Sequence, residues 1–192
     1  FGAGIPLFAM MRDETYFLPH FLRHYRRLGV GSFAICADRC GEAFMAMLEA
    51  EPDVSILLAR DSAYGDAFGL RPSGLPRRLI QAVKEYMSNT LFAGRWHLVC
   101  DADEFLVLPP PFDGLAAYAE ALDAQGLACS FATMVDFYPE RLTDRNFGPP
   151  GSQPLFQTYR VRRSHGFIDH RGSAALWPAR GTCNLQFRLP VQ

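Results

Sequence analysis

Four short runs in this chain, "IPLFAMM" (5–11), "SFAICA" (32–37), "VSILLA" (54–59) and "WHLVC" (96–100), are apolar at nearly every position. A strand with that pattern must be covered on both faces, the condition of a parallel sheet packed between helices. Parallel neighbours cannot be joined by a tight hairpin, so each pair needs a crossover between them. The intervening sequence supplies these. In "FLPHFLRHYRRLG" the residues Phe17, Leu18, Phe21, Leu22, Tyr25 and Leu28 share one helical face, with Arg23, Arg26 and Arg27 off it. Pro19 suits a first helical turn and Gly29 a helix end. A short helix is expected over 42–50, and a longer amphipathic one over about 77–92. The pattern predicts an α/β fold, a Rossmann-like domain with a mainly parallel central sheet.

Further along, "LPPPFDG" precedes a helix over about 115–125, and "LACSFATMV" (127–135) reads as another strand. The segments 60–76 and 146–154 read as loop, and 155–161 is strand-like. The length of 192 residues fits one domain with a sizeable core, and no internal repeat is present.

With 49% hydrophobic and 20% charged residues the chain is globular, not disordered. A net charge of -1 gives no electrostatic reason to expect nucleic acid or an anionic membrane as partner. Basic charge is almost all arginine, as in GC-rich bacterial genomes, and Lys84 is the only lysine. Five cysteines, an odd number, point to a reducing compartment and so to the cytoplasm; Cys36, Cys100 and Cys129 lie in apolar runs as small hydrophobes. No run approaches the length of a membrane span and no signal peptide is recognisable. A chain that begins at Phe1 is expected to be a fragment.

Against this apolar background "HLVCDADEFLVLPP" (97–110) places Asp101, Asp103 and Glu104 within four positions. Fully burying three carboxylates would be very costly, so they must meet water, a cation or hydrogen-bond donors at an edge of the fold. In extended chain Asp101 and Asp103 point the same way and Glu104 the other, towards backbone or an arginine. Two hard oxygen ligands side by side suit Mg²⁺ or Mn²⁺, with a phosphate-bearing substrate completing the shell. In open α/β sheets ligands bind beyond the carboxyl ends of the strands, and Asp38 and Asp101 both fall there.

"MMRDETYFLPHFLRHYRRLGVGSFAICAD", a helix containing "RRLIQAV", and "RWHLVCDADEFLVLP" together resemble the family 2-like glycosyltransferases of the GT-A fold. The resemblance covers about residues 5 to 138. It implies a nucleotide-sugar donor, usually uridine diphosphate-linked, a divalent cation (Mn²⁺ or Mg²⁺), and transfer with inversion to an acceptor that is a glycan, a lipid-linked group or another small molecule. It also implies that Asp101 and Asp103 contact ribose and metal-diphosphate, that Asp38 contacts the nucleotide, and that Asp13 and Glu14 form the acidic pair after the first strand. The family often continues from the second-strand Asp through an Asn turn, where this chain has "DRCGE". On this reading residues 1–110 form the nucleotide-sugar half and 111–192 the acceptor-side half, in a chain expected to be a fragment. The family often recruits a late histidine to the metal or diphosphate, which makes His170, or His165, a candidate ligand. An inverting displacement needs a carboxylate base away from the diphosphate, and Asp136, at the end of "LACSFATMV", is the candidate, with Asp169 and Glu140 as competitors.

Arg78, with Arg71 and Arg77, stands near a helix start, where it can meet a diphosphate. His20 and His24 have an i, i+4 zinc spacing, but Phe21 stands where the Glu of H-E-x-x-H belongs. "CADRC" lacks a second ligand pair. Three rivals to a transferase are open. A haloacid dehalogenase-like phosphatase shares the hydrophobic-D-x-D pattern but wants a downstream lysine and a later acidic pair, neither of which follows. A sugar nucleotidyltransferase wants a glycine-rich loop after the first strand, whereas Gly2 and Gly4 precede it. A non-catalytic nucleotide- or glycan-binding module of the same fold would keep the D-x-D and differ only in turnover.

Overall fold

The structure is a computed structural model; it describes residues 4–59, 65–70, 74, 76–130, 132, 137–138 and 161–162. In chain order the elements are β1 (Ile5–Met11), α1 (Leu18–Leu28), β2 (Val30–Asp38), α2 (Glu42–Glu49), β3 (Val54–Ala59), β4 (Ala67–Leu70) and β5 (Pro76–Arg78). Then come α3 (Leu79–Tyr86), a π-helix (Met87–Leu91), β6 (Leu98–Val99), α4 (Leu115–Ala124), β7 (Phe137–Tyr138) and β8 (Val161–Arg162).

The four apolar runs lie in one sheet, in the order β3-β2-β1-β6, and every pairing is parallel. Burial explains the composition of the two central strands, whereas edge strand β3 is only partly covered, with Leu58 exposed. Every residue of central β1 is buried, as is all of β2 except Gly31. One face of β1 (Leu7, Ala9, Met11) packs with Phe21 and Tyr25 of α1, Phe44 of α2 and Leu115 of α4. The other face (Phe8, Met10) packs with Met87, Phe92 and Val99. The domain is thus an α/β/α sandwich, with helices covering both sheet faces. Phe21, at 0% exposure, anchors α1 in it; truncating such a side chain to alanine costs about 3–5 kcal/mol.

α1 follows the expected pattern, with Leu18, Phe21, Leu22 and Tyr25 buried and Arg23, Arg26 and Arg27 exposed. Gly29 stops it in the left-handed region (φ 95°), its N–H donating to the Arg26 carbonyl at 3.1 Å. Gly4 and Gly31 pack together at the amino end of the sheet, where a Cβ on Gly4 would come within 3.2 Å of Gly31 Cα.

Four segments differ from the sequence expectation. The expected loop 60–76 contains β4, which pairs antiparallel with β5; Ala67, Gly69 and Pro76 carry no strand-like side-chain pattern, so the ladder is a backbone matter. The long helix does not run regularly to residue 92 but becomes a π-helix after Tyr86. Met87 and Phe92 both bury against the sheet, yet residues five apart in an α-helix diverge by about 140°. An i→i+5 turn brings them to one face, closed by the Phe92 N–H on the Met87 carbonyl at 3.0 Å. Of 96–100 only Leu98 and Val99 are strand, although the Cys100 N–H still donates to Phe8 O at 3.1 Å.

The fourth is the expected strand at 127–135, whose described residues, 127–130 and 132, are not strand. Its start belongs to the end of α4. Gly126 turns left-handed (φ 66°) and Leu127 N–H returns to the Leu122 carbonyl at 3.0 Å, a helix-ending motif. Among the described residues no helix is long and apolar enough to cross a membrane.

Candidate functional site

The parallel register brings the carboxyl ends of β1, β2 and β6 to one edge. Phe8 lies beside Val99 and Met11 beside Ala37, so Arg12–Glu14, Asp38 and Asp101–Glu104 all leave the sheet at this edge. Asp38 and Asp101 therefore share it, as the alternation of strands and helices implies.

The segment 101–104 is a turn and not extended chain, so the alternation argument for Asp101 and Asp103 does not apply as expected. Asp101 N–H donates to Glu104 Oε2 at 2.9 Å, and Glu104 N–H donates back to the Asp101 carbonyl at 3.1 Å. Glu104 is thus the backbone-bound member of the three. The turn still directs two carboxylates outward, because Ala102 is buried while Asp101 is half-exposed and Asp103 exposed.

α1 fastens this turn from beneath. The buried Tyr25 hydroxyl donates to the Glu104 carbonyl at 2.9 Å and accepts the Leu106 N–H at 3.2 Å. It also lies 3.2 Å from Cys100 Sγ. His24 Nε2 is 2.8 Å from the Leu106 carbonyl; a carbonyl only accepts, so Nε2 carries the proton. His24 is thereby committed to backbone, and His20 is buried with no hydrogen-bond partner for Nε2 among the described residues. Burial pushes the Cys100 thiol up to about 12 and the Cys36 thiol up to about 11. These are packing residues, not nucleophiles.

Glu14 shows that the acidic groups sense one another. Its carboxyl is raised above the usual range first by burial, then by the charges of Asp103, Asp101 and Asp13. Asp13 takes a positive φ of 51° and accepts the Gly41 N–H at 2.7 Å, tying the end of β1 to the start of α2.

Three cations answer this charge. Lys84 of α3 places Nζ 2.8 Å from Asp101 Oδ1. Arg12 pairs with the Asp38 carboxylate, and its Nε also donates to the Asp38 carbonyl at 3.3 Å. Asp38 is wholly buried, with Arg39 Nε 3.7 Å from its other oxygen. A ligand arriving from solvent meets these arginines before Asp38. Arg78 is exposed at the start of α3, its backbone N–H 3.4 Å from Gln81 Oε1. It lies six residues before Lys84, about 9 Å along the helix axis. Its neighbour Arg77 pairs with Glu85.

Asp101, Asp103, Glu14 and Asp38 are therefore brought to one edge, and Arg78 immediately precedes α3, whose Lys84 reaches it. Asp136, His170 and the alternatives His165, Asp169, Glu140 and Arg71 lie outside the described residues. Sequence reasoning missed Arg12 and Lys84. Arg12 adjoins the acidic pair in "MMRDE", and Lys84 is the one ammonium on a helix leading into the D-x-D strand.

Among the described residues no three His, Cys, Asp or Glu side chains gather as a ready-made metal cage. Asp101 and Asp103 are the two carboxylates of this turn that face outward; an ion of the Mg²⁺ or Mn²⁺ kind would need one or two such ligands, with phosphate and water completing its shell. No protein-family model, curated protein or solved structure matches the chain.

Proposed function

We propose that this domain is a metal-dependent glycosyltransferase of the family 2-like, GT-A kind, which moves a sugar from a nucleotide-sugar, a uridine diphosphate-sugar first, to a small or lipid-linked acceptor with inversion. The observation that carries the reading is the shared sheet edge of Asp13–Glu14, Asp38 and the Asp101–Glu104 turn, the expected ligand position of an open α/β sheet. The order of these groups along the chain is that of the glycosyltransferase motifs.

In the reaction an acceptor hydroxyl attacks the anomeric carbon, the carbon–oxygen bond to the diphosphate breaks, and the nucleoside diphosphate leaves with the bonding pair. A divalent cation held by Asp101 and Asp103 would neutralise the charge gathering on that leaving group. Arg12 and Lys84 supply further positive charge at the same edge. The acceptor proton needs a base elsewhere, and Asp136 is the assigned residue.

Calorimetric titration of uridine diphosphate with and without Mn²⁺ tests the site. Wild-type binding should strengthen with Mn²⁺, and Asp103→Asn should weaken the Mn²⁺-dependent complex by about tenfold or more. An undiminished metal effect in the variant would remove Asp103 from the site. A non-catalytic nucleotide- or glycan-binding module of the same fold would present the same acidic edge and differ only in turnover. Donor hydrolysis or transfer by the purified chain separates the two readings.

A further inference from the structure

Lys84 stands on α3, and its ammonium lies 2.8 Å from Asp101 Oδ1. The lysine side chain is the better buried partner, 20% exposed against 44% for the aspartate. Around this pair Asp13, Glu14 and Asp103 add negative charge, which Glu14 registers directly. Two neighbouring cations are otherwise engaged: Arg12 with Asp38 and Arg77 with Glu85. An ammonium on a flexible four-carbon stem is a compact point charge that can leave one anion for another, unlike the rigid fork of an arginine.

We propose that Lys84 is the resident counter-ion of the acidic turn, holding Asp101 in the absence of a divalent cation and competing with that cation for it. If Asp101 belongs to a metal-nucleotide site, as proposed above, two consequences follow. A divalent cation alone binds weakly, because it must displace Lys84. Phosphate groups give the released ammonium a new partner, so cation and nucleotide strengthen each other's binding, and by linkage the two effects are equal.

The test is Mn²⁺ binding, followed by electron paramagnetic resonance of the free ion, with and without uridine diphosphate. Lys84→Met should bind Mn²⁺ about threefold or more tighter than wild type without nucleotide, the scale of a partly exposed ion pair. The mutual strengthening by uridine diphosphate should shrink, and Lys84→Arg should retain the wild-type suppression. Because Lys84 is the only lysine, acetylating it in the folded wild-type protein, with its modification read by mass spectrometry apart from that of the α-amino group, removes the same side-chain charge without relying on a variant to fold. Equal or weaker Mn²⁺ binding in the acetylated protein overturns the proposal. If Asp101→Asn abolishes Mn²⁺ binding while neutralising Lys84 changes nothing, Lys84 alone is misassigned. If wild type binds no Mn²⁺ even with uridine diphosphate, the metal site fails and the counter-ion role fails with it.

Discussion

The Tyr25 hydroxyl fastens the first helix to the acidic turn, and its loss has a calculable cost. Tyr25→Phe keeps the ring in the core but leaves the Glu104 carbonyl and the Leu106 N–H without this partner. An orphaned buried group costs about 1–3 kcal/mol, so the variant should lose about 2 kcal/mol of stability in urea unfolding. Uridine diphosphate binding should weaken with it, because the turn is held through these bonds. Unchanged stability would show that the hydroxyl is not a fastening. Periodicity places Tyr25 on the buried face of α1, as observed. It says nothing of a hydrogen bond to a residue 79 positions away. The same limit hid Arg12 and Lys84, whose partners lie 26 and 17 positions distant. The carboxylates themselves were legible, because charge inside an apolar run is a local anomaly.

Among the described helices, α1 is the one whose histidines have shifted imidazole pKa values. Burial, the largest cause for each, lowers the imidazole pKa of both His20 and His24 below the ordinary 6.5. Arg23 and Arg27 push the same way, and the Leu106 hydrogen bond opposes the shift at His24. A lowered native pKa means that the unfolded chain binds protons first as pH falls. Stability is therefore full above the ordinary imidazole pKa and declines as pH falls through that value towards the native ones. Urea midpoints between pH 7.5 and 5 should fall, and His24→Gln should flatten part of the slope while its amide can still donate to Leu106 O. A slope identical in wild type and variant would remove His24 as a source. Element type was legible where one pattern dominated, as in β1, β2, β3 and α1. It failed where the determinant was not periodic: a backbone hairpin at β4–β5, a π-turn set by Met87 and Phe92, and a helix stop that takes up Leu127.

For the molecule as a whole, the parallel sheet divides the work of the proposed reaction. Residues up to about 104 gather the acidic edge, and three of its carboxylates already have partners within the fold. Asp38 is buried against Arg12, Glu104 holds backbone, and Asp101 pairs with Lys84. Asp101 and Asp103 are assigned to the diphosphate side. An inverting displacement brings the acceptor to the opposite face of the sugar, so the base that takes its proton must come from another part of the chain. Asp136 follows the apolar run 127–135 and adjoins Phe137 and Tyr138, and those two residues pair in β7 with β8. Under the proposed function, the two aromatic residues that follow Asp136 in the sequence would serve as a sugar-stacking surface beside the base. The Asp136→Asn variant should therefore bind uridine diphosphate and Mn²⁺ as wild type does, while transfer, or donor hydrolysis in its place, falls by about 10²-fold or more. The separation of the two readouts is what matters: loss of binding together with turnover would mean a damaged fold, and turnover near the wild-type rate would mean that another carboxylate, Asp169 or Glu140, takes the proton.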